Sequence, residues 1–181
     1  SSPTTLDIPR VGHSFYKTAA DKAERCAALA LRSGVTHLDL ATQYQSNAEI
    51  GKTIRTYLKY GRKKLALEEK PELIDLLDAA HAYQTKTYGG SKRGGAKRRR
   101  KELFLAYKLS NEEQSTDPDK VRQAVLNAIE TLGVDYLDMV SIHSPLTDSE
   151  TRLATYRALV DIQQGGGDRS TTTKSSSSSS S

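Results

Sequence analysis

One cysteine, Cys26, is all the sequence offers for thiol chemistry, which excludes an intramolecular disulfide and a cysteine-rich zinc site. It lies in an alanine- and leucine-rich stretch with nothing nearby to activate a thiolate, and reads as a small buried side chain. No apolar run approaches the ~20 residues that cross a bilayer, and no signal-peptide pattern opens the chain, which begins at Ser1 rather than at a methionine. A lone cysteine without an export signal points to a reducing compartment, so a cytoplasmic setting is expected. A broadly basic surface is also lacking. The formal net charge is +5, yet Lys92, Arg93, Lys97, Arg98, Arg99, Arg100 and Lys101 crowd into one tract, and without them the rest of the chain is slightly acidic. No aromatic residue interrupts that tract, so base stacking is not indicated; it reads as a solvated run, and nucleic acid is not an expected partner.

What is present fits a globular protein of one large or two small domains. Of the 181 residues, 36% are hydrophobic and 27% charged, enough for a real core with some polar, unstructured sequence added. Strand-like and helix-like segments alternate. Ile8-Pro9-Arg10-Val11-Gly12 reads as a short strand or turn. Thr18 stands where it could cap a helix running to Ser33, stopped by Gly34. Val35–Leu40 reads as a strand with Val35, His37 and Asp39 on one side and Thr36, Leu38 and Leu40 on the other. Asn47 can cap a helix whose Ile50, Ile54 and Leu58 face inward. Pro71 opens another, with Leu73, Ile74, Leu77 and Ala80 apolar.

Gln84 to Arg100 shows no periodicity and reads as a surface excursion or disordered loop, its basic low-complexity part at 84–101. Glu102–Leu109 has the nearly unbroken apolar character of a buried parallel strand. Asp117-Pro118 starts a helix with Val121, Val125, Ala128, Ile129 and Leu132 as its stripe, closed by Gly133. Val134–Ile142 is a further strand, ending at His143-Ser144-Pro145. Thr147-Asp148-Ser149-Glu150 has capping-box spacing before a last helix that carries Leu153, Tyr156, Leu159 and Val160. Residues 171–181, threonines, a lysine and a run of serines, read as a disordered or placeholder tail.

Strand and helix in alternation imply a parallel sheet covered by helices, and such folds bind ligands at the C-terminal ends of their strands. Asp39, Lys108 and His143 each fall at such an end, on different strands, and Tyr44 follows the first. Each has an ordinary explanation alone: Asp39 as a loop cap, Lys108 as a solvated strand end, His143 as a turn histidine. Together on one rim they form a constellation.

The segments around those residues resemble the aldo-keto reductase superfamily. They are Leu38-Asp39-Leu40-Ala41-Thr42-Gln43-Tyr44 with Asn47 and Glu49-Ile50-Gly51; Arg100 through Leu109; and Leu132-Gly133-Val134-Asp135-Tyr136-Leu137-Asp138 on to Ile142-His143-Ser144-Pro145. The resemblance implies an NADP(H)-dependent oxidoreductase that reduces aldehydes or ketones by hydride transfer, on a (β/α)8 TIM-type barrel, with no metal. Only the first four to five βα units fall within residues 1–170, and where the chain stops suggests a half-barrel that associates with the rest of a barrel or with a larger assembly.

By the resemblance Tyr44 is the general acid, Lys108 supplies the adjacent positive charge, Asp39 holds Lys108, and His143 orients the carbonyl of a small-molecule substrate. Gly12, Tyr16 and Asp39 are the implied cofactor contacts. Gly12-His13-Ser14-Phe15 departs from the family's Gly-x-Gly-Thr before Tyr16. His37, on the Asp39 face but not one of the four positions, reads as a core residue or a support behind the site, and Tyr107 faces away from Lys108 by strand alternation. The superfamily also contains binding subunits of the potassium-channel beta type, so a non-catalytic regulatory role, or an inactive half-barrel, is the alternative reading.

Overall fold

Four parallel strands lie side by side in chain order in the computed structural model, which describes residues 8–65, 70–88, 95–145 and 148–165. They are β1 (Gly12–Ser14), β2 (His37–Ala41), β3 (Phe104–Leu109) and β4 (Met139–Ile142), and the crossovers between them are helical. Helix α1 (Ala20–Ser33) joins β1 to β2. Helices α2 (Asn47–Tyr60), α3 (Pro71–Tyr88) and α4 (Ala96–Glu102) fall between β2 and β3. Helix α5 (Pro118–Leu132) precedes β4, and α6 (Ser149–Gln163) follows it.

The α1 stripe of alanines and Leu31 is buried, and the helix stops where Gly34 turns left-handed (φ 95°), its N–H reaching the carbonyls of Ala30 and Leu31. On α5 the Asp117 carboxylate accepts the Asp119 N–H ahead of Pro118, and Val121, Val125, Ala128 and Leu132 are buried as their spacing predicts. The core lies between the sheet and the helices: Leu38, Leu40, Leu105 and Leu109 meet Leu31, Ile50, Ile54, Val121 and Leu132, all essentially without solvent exposure. Each such side chain contributes about 1.5–3 kcal/mol by leaving water. No described helix is long and apolar enough to cross a membrane.

Register decides what the other face of the sheet presents. Gly12 pairs with His37 and Ser14 with Asp39; Asp39 pairs with Ala106 and Ala41 with Lys108; Lys108 pairs with Ser141. Alternation therefore puts His37, Asp39, Ala106 and Lys108 on the face away from the helices.

Several sequence expectations are corrected. The excursion is in good part helical: α3 runs on to Tyr88 and α4 covers 96–102, while 89–94, with Lys92 and Arg93, lie outside the described residues. Helix α4 was illegible as a helix because polar groups anchor it. Arg99 donates from Nε to Leu58 O (2.7 Å) and from Nη2 to Lys59 O (2.8 Å), placing a cation on the last carbonyls of α2. Arg100 is 4% exposed; its Nη2 reaches Tyr136 O (2.6 Å) and Asp138 Oδ2 (2.9 Å), and its guanidinium stacks 3.6 Å from the Tyr136 ring centre. At least two charges of the basic tract thus hold the fold together.

The fourth strand begins at Met139 rather than Val134, because the Asp138 carboxylate takes the Leu105 N–H and the chain enters the ladder only there. The α1 cap position is Ala19, not Thr18, and α2 is preceded by Ser46. Asn47 caps nothing; its Nδ2 donates to Ala41 O (2.9 Å). On α6, Asp148 accepts the N–H groups of Glu150 and Thr151, while Thr147 is outside the described residues. That helix buries Thr155 and Ala158 and leaves Leu153 and Tyr156 exposed. Cys26 is a free thiol, half-buried against the core.

Candidate active site

The end of β2 sets the geometry. Asp39 stands two residues before the strand closes, and the chain then makes one 3-10 turn, Thr42–Tyr44. Gln45 follows in a left-handed conformation (φ 50°), rare for a side chain other than glycine, which swings the backbone toward α2 and leaves Tyr44 at the rim. Lys108 comes from β3 and His143 directly follows β4, its N–H donating to Leu109 O at 3.0 Å.

These four residues, drawn from three strand ends, meet. Lys108 Nζ donates to both carboxylate oxygens of Asp39, at 2.6 and 2.7 Å. The same ammonium lies 5.1 Å from the centre of the Tyr44 ring. The Tyr44 and His143 rings are perpendicular, with centres 5.9 Å apart. Partial burial opposes the charge on Lys108, but hydrogen bonds to Asp39 and Tyr44, with the charge of Asp39, outweigh it and raise its pKa above the ordinary lysine value. His143 Nδ1 is buried and has no hydrogen-bond partner.

Tyr16 joins the cluster, its ring centre 5.9 Å from that of Tyr44. Tyr16, Lys17, Gln43, Tyr44 and Gln45 line a cleft of about 380 Å³. Gly12 is not brought to the rim. It pairs with His37, two residues below the level of Asp39, and a Cβ there would sit 3.0 Å from His37 Cγ. The glycine makes room for that imidazole, which contacts Pro9 O at 3.3 Å and meets Phe104 edge-on at 4.8 Å.

The His13-Ser14-Phe15 departure is less intrusive than the side-chain bulk implies. Phe15 is fully buried, and His13 packs edge-on against it on the helix side; of the three, only Ser14 shares the face of Asp39. Among the described residues no group of three or more His, Cys, Asp or Glu could hold a metal ion.

Sequence reasoning missed what lies behind the rim. On the helix side of β2 and β3, Thr42, Asn47, Tyr107 and Glu113 share a hydrogen-bond network. Its one legible trace is the Ser110-x-x-Glu113 spacing, which closes as a capping box.

The aldo/keto reductase family model matches residues 10–171. An aldo-keto reductase of Mycolicibacterium smegmatis is 27% identical over 156 residues, which cover 86% of this chain and 42% of that protein. The D/L-glyceraldehyde reductase of Hypocrea jecorina is 29% identical over 143 residues, 79% of this chain and 32% of that one. The chain thus spans less than half the length of these curated relatives. Among solved structures, Bombyx mori aldo-keto reductase in complex with NADP superposes with a TM-score of 0.55 at 22% identity, covering 88% of this chain and 44% of that one. Four parallel strands joined by helices, and a family match over most of the sequence, make the chain a member of the aldo/keto reductase family.

Proposed function

We propose that the chain carries the proton-donating site of an NADP(H)-dependent oxidoreductase that reduces aldehydes or ketones to alcohols. One observation carries the reading: a bidentate ammonium–carboxylate pair, Lys108 with Asp39, set against the ring of a tyrosine that also meets His143. The donor set fits the reacting end of such a cofactor and a carbonyl. Tyr16, 62% exposed and 5.9 Å from Tyr44, offers an exposed aromatic ring to a flat heteroaromatic one, and the His143 ring, whose Nδ1 has no hydrogen-bond partner, stands perpendicular to Tyr44 where a carbonyl oxygen would be met. The NADP named with the Bombyx mori protein supports the choice of cofactor.

The cofactor, when bound, supplies the hydride. Tyr44 gives its phenolic proton to the carbonyl oxygen, the point where negative charge develops. Lys108 stabilises the phenolate left behind, and Asp39 keeps Lys108 protonated and aimed by taking two of its three N–H bonds. His143 orients the carbonyl toward Tyr44.

The test is NADPH oxidation with a reactive aldehyde by the parent chain and by Tyr44→Phe. Loss of a general acid costs about 10²–10⁴-fold in rate, so turnover should fall by at least a hundredfold while NADPH binding persists. Equal turnover in the two proteins would end the reading.

A further inference from the structure

Behind the rim, on the side of β2 and β3 that faces the helices, four polar side chains form a chain of contacts that the proposed chemistry does not use. Asn47 Nδ2 donates to Ala41 O at 2.9 Å and to Tyr107 Oη at 3.3 Å. Tyr107 Oη lies 3.3 Å from Thr42 Oγ1. Thr42 Oγ1 lies 2.5 Å from Glu113 Oε2, which also accepts the Ser110 N–H at 2.8 Å.

Proton counting gives this chain one direction. The threonine hydroxyl has a single proton, and the closer, charged acceptor is Glu113, so Thr42 donates there. The Tyr107 hydroxyl then donates to Thr42 and accepts from Asn47. Burial, with the charge of Glu113, raises the Tyr107 pKa against the opposing contact with Thr42, and that phenol stays protonated as the direction requires. Each proton is used once, the Asn47 amide supplying two, and the run ends on a carboxylate.

The network ties together the elements that carry the site. Thr42 begins the turn that ends in Tyr44, and Tyr107 precedes Lys108 on β3. Glu113 belongs to the loop after β3, and Asn47 opens α2 while gripping the last residue of β2. We propose that Thr42, Tyr107 and Glu113 are positioning residues for Tyr44: a one-way hydrogen-bond run behind the sheet that locks the turn bearing Tyr44 to the strand bearing Lys108. The purpose of this lock rests on the reductase reading; its geometry does not.

An isosteric pair of variants tests it. Thr42→Val removes the hydroxyl and keeps the shape, whereas Thr42→Ser restores the hydroxyl; Glu113→Gln removes the charge at the end of the run. The first readout, in the full chain, is the NMR cross-relaxation between the rings of Tyr44 and His143. It should weaken severalfold in Thr42→Val and Glu113→Gln and return in Thr42→Ser. The second readout is turnover of aldehyde and NADPH. An ångström of misplacement costs up to about 10²-fold, so kcat should fall by about tenfold or more in the same two variants, with the KM for NADPH within twofold of the parent.

Unchanged ring cross-relaxation in folded Thr42→Val, with only the melting temperature lowered, overturns the inference by making the network structural. Loss of the ring contact in all three variants, serine included, overturns it equally. A parent that binds NADPH but turns nothing over defeats the reductase reading instead, and the NMR comparison still decides whether the network places Tyr44.

Discussion

Replacing Asp39 by asparagine isolates the Lys108 pair, because the side chain keeps its shape and one of its two acceptors. Lys108 and Asp39 retain 21% and 30% exposure, between the limits for which general magnitudes are known. Fully exposed pairs contribute about 0.2–1 kcal/mol, whereas removing one partner of a buried pair costs about 3–5 kcal/mol. The asparagine oxygen preserves one of the contacts at 2.6 and 2.7 Å and loses the charge on the other. A net loss of about 1.5–3 kcal/mol follows from the worth of charge-assisted hydrogen bonds. That corresponds to a drop in Tm of about 3–12 °C in a chain of this size.

The pH dependence is the sharper signature. In the fold the Lys108 pKa is raised, so the stabilisation is fully present below the ordinary lysine value of 10.5 and is lost as pH rises through the higher folded value. Thermal melts of parent and Asp39→Asn across neutral and alkaline pH should therefore show a constant gap that closes only above the ordinary lysine range. A variant that melts with the parent at neutral pH, or a gap that persists unchanged in strong alkali, would refute the pairing.

Gly51→Ala should cost about 1–3 kcal/mol in urea melts, the range for overpacking, because the new Cβ would lie 2.5 Å from Thr131 O and 3.1 Å from Leu132 Cα, backbone atoms that cannot step aside. Arg100→Leu should destabilise by about 3 kcal/mol or more, since it strips a buried partner from Asp138, whereas Arg99→Ala, which removes a cation from the last carbonyls of α2, should cost about 1 kcal/mol; equal losses would contradict the assignment. Burial lowers the pKa of His13, so the unfolded chain takes up a proton first as pH falls below the ordinary 6.5 and stability declines on the acid side; His13→Leu should flatten the acid side of the pH–stability curve.

What was legible followed local rules. Helices α1 and α5 announced themselves by an apolar stripe and a glycine stop, and β2 and β3 by short apolar runs whose alternation placed Leu38 inward and Asp39 outward. The candidate site was legible for the same reason: parallel sheets present ligand groups at strand ends, and Asp39, Lys108 and His143 were each at one. Helix α4 was not legible because its hold on the fold is polar; Arg99 and Arg100 bond to carbonyls of Leu58, Lys59, Leu103 and Tyr136, partners remote in sequence or set by the fold, which no periodicity encodes. Asn47 misled because its residue type favours caps, while its amide is claimed by Ala41 and Tyr107 across a turn that only the folded chain closes.

The meeting of Asp39 and Lys108 depends on something no single segment contains. The two are not cross-strand partners: Asp39 pairs with Ala106 and Lys108 with Ala41. The ammonium must reach back two residues along the strand, about 6.6 Å at a parallel strand's rise, a span suited to the four-carbon stem of lysine. A register slip of one residue would turn Lys108 toward the helices and Tyr107 toward the open face. It would then break the Asp39 pair in front of the sheet and the Thr42 contact behind it in a single step. The carboxylate–ammonium pair and the hydrogen-bond run behind the rim are therefore two consequences of one pairing of β2 with β3. Any change that frees that register should weaken both together, whereas Thr42→Val should release the turn and leave the Lys108–Asp39 pair in place.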